Sequence, residues 1–129
     1  MSFTNTYETH VLNYLFTATS VTRPVASNLH LALFTADPTE TGSTSSEISG
    51  SGYTRKAVAF TVSGNLATNS GAIEFPTATG SWGTISHVAV MDASSSGNML
   101  ASSALSVSKA VTTGDVLRIN AGELDITLD

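Results

Sequence analysis

The spacing of hydrophobic and polar positions changes once along the chain, near Pro24. Before it, Tyr7, Val11, Tyr14 and Leu15 fall at i, i+4, i+7 and i+8, which gathers them into one apolar stripe on a helix. Asn5 and Glu8 precede most of the stripe with the spacing of a capping box, in which each side chain satisfies an orphan N–H of the first turn. The pattern predicts a helix over residues 5–17. Two destinations are open to it: a lid over its own domain, or an arm docked on a partner subunit.

Beyond Pro24 the period is two. Leu29, Leu31 and Leu33 alternate with His30, Ala32 and Phe34, so this strand is apolar on both faces and belongs at the centre of a sheet. Residues 36–52 break the pattern with Gly, Ser, Thr and the acids Asp37, Glu40 and Glu47, and read as an exposed excursion. Residues 53–62 resume it, with Val58, Phe60 and Val62 on one face. Further strands are predicted over 71–75, 84–92, 98–107, 115–120 and 123–128, with Pro76 and several glycines marking the turns between them. In the last segment Leu124, Ile126 and Leu128 face inward, while Glu123, Asp125, Thr127 and Asp129 face outward.

About seven or eight short antiparallel strands imply a mainly β fold: an antiparallel β-sandwich, jelly-roll-like, with one short N-terminal α-helix. The expected organisation is a helical arm over residues 1–24 and a sandwich over 25–129, together one compact domain.

Composition fits that reading. Charged residues make up 12% of the 129 positions and apolar residues 41%, which excludes a disordered chain. Roughly three residues in ten are Ser or Thr, small or β-branched side chains suited to pleated surfaces and tight turns. No cysteine is present, so neither disulfides nor thiolate metal sites are available. The net charge of −5, with Arg23, Arg55, Lys56, Lys109 and Arg118 mostly dispersed, argues against a nucleic-acid partner. No stretch is apolar and long enough for a membrane span, and the first residues do not look like a secretory signal, so synthesis in the cytosol is expected.

Candidate chemistry is thin. His10, His30 and His87 form no pair with metal-ligand spacing, and no nucleophile-elbow motif occurs. The segment Gly50, Gly52, Arg55 starts like a dinucleotide fingerprint, but Arg stands at the third position and a strand follows. Residues 92–97 look faintly like a calcium loop, yet Ser103 stands where a bidentate Glu is needed. No catalytic residue, metal ligand or cofactor is expected. The candidates for contact are Tyr7, Val11, Tyr14 and Leu15 on the helix, Trp82 between two glycines, and Arg55, Lys56 and Arg118 as charges for a subunit boundary.

The segments LALFTADPTETG, EISGSGYTRKAVAF, IEFPTATGSWGTISHVAVMDA and GDVLRINAGELDITLD resemble a group of small bacteriophage virion structural proteins, often labelled phage tail fibre proteins. The likeness runs from Leu29 to Asp129 and is spread along the chain, so no active residue transfers with it. It implies a non-enzymatic part of the phage particle, made in the host cytoplasm and located in the virion. By analogy of size and architecture the first expectation is a capsid-decorating cement protein that clamps the head shell. Its partners would be further copies of itself, as a trimer, and the phage major capsid protein or tail components. The alternative is a tail, fibre or baseplate module for structure or host recognition, with Trp82, Tyr53 or Tyr7 to meet a glycan.

Overall fold

The apolar segment around Leu31 forms the centre of the molecule. In the computed structural model, which describes residues 1–128, it becomes strand β2 (His30–Phe34), with Leu31, Ala32, Leu33 and Phe34 all fully buried. The N-terminal segment supplies β1 (Ser2–Phe3) and helix α1 (Asn5–Phe16). After β2 come β3 (Lys56–Ala57), β4 (Phe60–Ser63), β5 (Leu66–Asn69) and β6 (Ile73–Glu74). The chain continues through β7 (Gly83–Met91), β8 (Met99–Val111), β9 (Arg118–Ile119) and β10 (Asp125–Thr127).

Every pairing is antiparallel. The main sheet has the order β1-β8-β7-β2-β3, and smaller sheets have the orders β10-β5-β4 and β6-β9. Leu31, Leu33, Val88 and Val90 on one face of the main sheet pack with Ile73, Phe75, Ile119 and Leu124 from the smaller sheets and their flanks. That shared core gives the fold its sandwich-like character. The opposite face carries a second cluster, Ala32, Phe34, Ala89, Met91 and Met99. The expectation that β2 is apolar on both faces is therefore met. Asn69 is buried between the layers with all its amide groups used: Nδ2 donates to the carbonyls of Gly71 and Asn120, and Oδ1 accepts from Leu124 N–H.

Among the described residues ten strands form where about seven or eight were expected, because several are two-residue pairings too short to register as alternation. The strand expected over 53–62 is divided. Val58 N–H donates to Leu29 and keeps Val58 in the core, after which the chain crosses to the three-stranded sheet. Val62 there faces solvent at 75% exposure, so it does not share a buried face with Val58 as expected. The last segment pairs as β10 with Leu124 buried, but Leu128 lies beyond the strand and is 53% exposed. Asp129, expected on the outward face, lies outside the described residues.

The 36–52 excursion is largely exposed but fastened. Ile48 and Pro38 are buried, Phe34 and Glu47 form a bridge, and Asn5 N–H donates to the Glu40 carbonyl. A Cβ built on Gly42 would lie 3.3 Å from the Cβ of Met99, so this loop lies over the second cluster. The expected capping box does not form. Thr4 occupies the N-cap position, and its hydroxyl instead donates to the Met99 carbonyl at 2.6 Å, which pins the helix start to β8.

Candidate assembly surface

Helix α1 is held at its start and bare at its end. Tyr7 is buried, its ring edge meets His10 with centroids 5.0 Å apart, and its hydroxyl donates to Asp92 Oδ2 at 3.2 Å. Burial first, then the charge and hydrogen bond of Asp92, push the Tyr7 phenol up to about 12. One turn later Val11 is half-buried. In the following turn Leu12, Tyr14, Leu15 and Phe16 are all exposed, Tyr14 at 74% and Phe16 at 77%. Across from Tyr14 and Leu15 stand Val21, Pro24 and Leu128, and the space between is an apolar groove of about 510 Å³.

Behind the helix lies a polar knot. Arg55 Nε donates to Glu47 Oε1 at 2.7 Å and an Nη donates to Oε2 at 2.8 Å, a two-pronged ion pair largely shielded from water. Its other Nη donates to the carbonyls of Ala93 and Ser96, at 3.0 and 2.8 Å. Tyr53 also donates to Glu47 Oε1, and accepts from Leu33 N–H. Burial is the main force raising the Tyr53 phenol, with the Glu47 charge adding to it; the Glu47 hydrogen bond is the main force raising the Arg55 guanidinium. The loop that looked like a calcium site thus already holds a cation, the Arg55 guanidinium. Asp92, its first residue, is occupied by Tyr7 and by Asn98 N–H.

The remaining candidates are dispersed. Trp82 is 4% exposed, donates Nε1–H to the Ser51 carbonyl and packs edge-on to Tyr53 at 5.5 Å, so it belongs to the core of this chain. Lys56 is exposed on β3, and Arg118 is exposed on β9 with Glu74 3.6 Å away. Among the described residues no group of three or more His, Asp or Glu is placed to hold a metal ion, and no helix is long and apolar enough to cross a membrane. His30 Nδ1 lies 2.7 Å from the Asn28 carbonyl and His87 Nδ1 2.8 Å from Ser86 Oγ.

Of the residues singled out in the sequence, Tyr7, Val11, Tyr14 and Leu15 come together, and the others do not join them. Sequence reasoning missed Leu12 and Phe16, which sit one turn apart off the counted stripe, and the groove wall at Val21, Pro24 and Leu128. A second apolar pair at i and i+4 was the available signal for the first two. The profile of a protein family described as podophage GP4 fiber I protein gp80 matches residues 2–127. No curated protein matches the chain.

Proposed function

The chain belongs to the podophage GP4 fiber I protein gp80 family, and from that premise we propose that it is a fibre-associated module of the phage tail that enters the particle through the free end of α1. Its general character is not in question: it is a virion structural protein of tail-fibre type. The observation that carries the finer reading is the apolar last turn of α1, left open to solvent on a molecule whose other large side chains are mostly packed. An exposed apolar cluster of this kind marks a surface that is covered in the working assembly.

The family favours the tail and fibre alternative over the head-decorating role that size and architecture first suggested. A structural rather than catalytic role is supported in the same way. The polar groups gathered around Arg55 and Asp92 are engaged with one another, holding a loop to a hairpin, and none is poised toward an open cleft.

The test is incorporation. Virions are purified from phage carrying Tyr14→Lys together with Phe16→Lys, and the chain is quantified by mass spectrometry. The reading predicts a folded variant depleted roughly tenfold or more from particles, as befits loss of a docking contact repeated across an assembly. Undiminished incorporation would contradict it.

A further inference from the structure

The main sheet ends in an edge that is covered along only part of its length. β8 runs for 13 residues, and β1 takes its outer side opposite Ala101 and Ser102 alone. Thr4 N–H donates to the Leu100 carbonyl next to them. Among the described residues no other backbone pairs with the outer side of β8 from Ser103 to Ala110. The inner side is interrupted as well. His87 pairs with Ala104 and Ile85 with Lys109, so Ser86 alone stands opposite Leu105, Ser106, Val107 and Ser108. In such a bulge the extra residues have backbone groups that the ladder does not use.

This edge opens on a cleft of about 600 Å³ between the layers of the sandwich. Val88, Leu105, Leu117 and Leu124 give the cleft an apolar lining. Met1 borders it too, and the pairing of Ser2 with Ser102 places Met1 beside Ser103. From there the Met1 ammonium donates to the Asp125 carbonyl at 3.1 Å, on β10. β1 therefore lies in the seam between β8 and β10, and the cleft along Ser103–Val107 continues its line past Met1. The seam holds a strand at one end and an open track beyond.

We propose that the track receives one extended segment of another virion protein, added beside β8 where β1 stops. The chemistry of the margin selects the ligand. Unpaired strand backbone is satisfied by an extended peptide through main-chain hydrogen bonds, while alternate side chains of that peptide enter the apolar cleft. Lys109 and Arg118 share the rim with Glu123 and Asp125, so no single sign of ligand charge is favoured. The bulge keeps the edge from pairing with every strand that passes, and restricts it to a segment that follows the bend. A second copy of this chain has no such segment to give. Among the described residues each of its strands is already paired, and its stretch 17–25 is tied back through Thr17 and Thr19 and broken by Pro24.

The contact lies apart from the α1 surface and is tested separately from it. Backbone hydrogen exchange is compared between the isolated chain and purified virions, read by mass spectrometry of fragments. In virions the amides of residues 103–110 are expected to exchange roughly tenfold or more slowly, since the incoming strand supplies partners they lack in isolation. A photoreactive residue in place of Val107, which is 65% exposed, is expected to cross-link in the same virions to one continuous segment of a different virion protein. Equal exchange in the two states, or a cross-link to another copy of this chain, would overturn the proposal. Slower exchange at residues 12–16 alone would uphold the α1 contact and overturn this one.

Discussion

Arg55 gives hydrogen bonds to both oxygens of Glu47 and to two carbonyls of the 92–98 turn, so a single side chain ties three separated segments together. Removing it strands a carboxylate that is only 15% exposed, a loss that costs about 3–5 kcal/mol for buried pairs. Arg55→Met should therefore lower unfolding free energy by about 3 kcal/mol in chemical denaturation, and a loss below about 1 kcal/mol would place the pair among ordinary surface bridges. The two raised phenols make a second prediction. A folded pKa above the unfolded value favours the neutral form in the native state, so that contribution is complete below pH 10.0 and is lost as pH rises toward about 12 for Tyr7. Melting temperatures taken from neutral to strongly alkaline pH should fall less steeply above 10.0 for Tyr7→Phe than for the wild type. Identical slopes would contradict the assignment. None of this knot was legible in the sequence. Glu47 read as one more acid in a polar loop, because its partner is eight residues on and no periodic pattern links the two.

At the scale of elements, the turn between β7 and β8 depends on Gly97. Its φ of +75° lies in the left-handed region, and a Cβ there would collide with Asp92 Oδ1 and stand 2.9 Å from the Cβ of Ala93. Because Asp92 also holds Tyr7, the strain would reach α1. Gly97→Ala is expected to cost about 1–3 kcal/mol, read as a lower melting temperature; an unchanged melting temperature would contradict the geometry. β2 was readable as a continuous apolar run buried on both faces, and β7 and β8 as apolar segments bounded by turn residues. β1 was not, because it exists by pairing Ser2 and Phe3 with Ser102 and Ala101, residues almost a hundred positions away. β5 was hidden for a related reason: its side chains are only half-buried, apart from Asn69. The helix was found within a residue of its ends, yet its start was misassigned locally, since the Thr4 hydroxyl is drawn to the Met99 carbonyl instead of capping.

At the scale of the whole molecule, the mainly β architecture followed from composition and period, and membership of a phage particle from residues scattered through the chain that match as a pattern; the head-shell post first expected from size and architecture did not, since the family favours the tail and fibre alternative. The surface for contact was half legible. Tyr14 and Leu15 were identified by their stripe, but a stripe says only which side chains share a face, and whether the same chain covers that face depends on how β8, the 17–25 segment and the end of β10 fall around the helix. That is a tertiary outcome with no local signature. The central claim, a fibre-associated tail module, is tested most directly by electron cryo-microscopy of intact virions carrying a tagged copy of this chain. The account predicts tag density on the tail or its fibres, at a few to a few dozen copies per particle. Density spread over the capsid shell in hundreds of copies would contradict it.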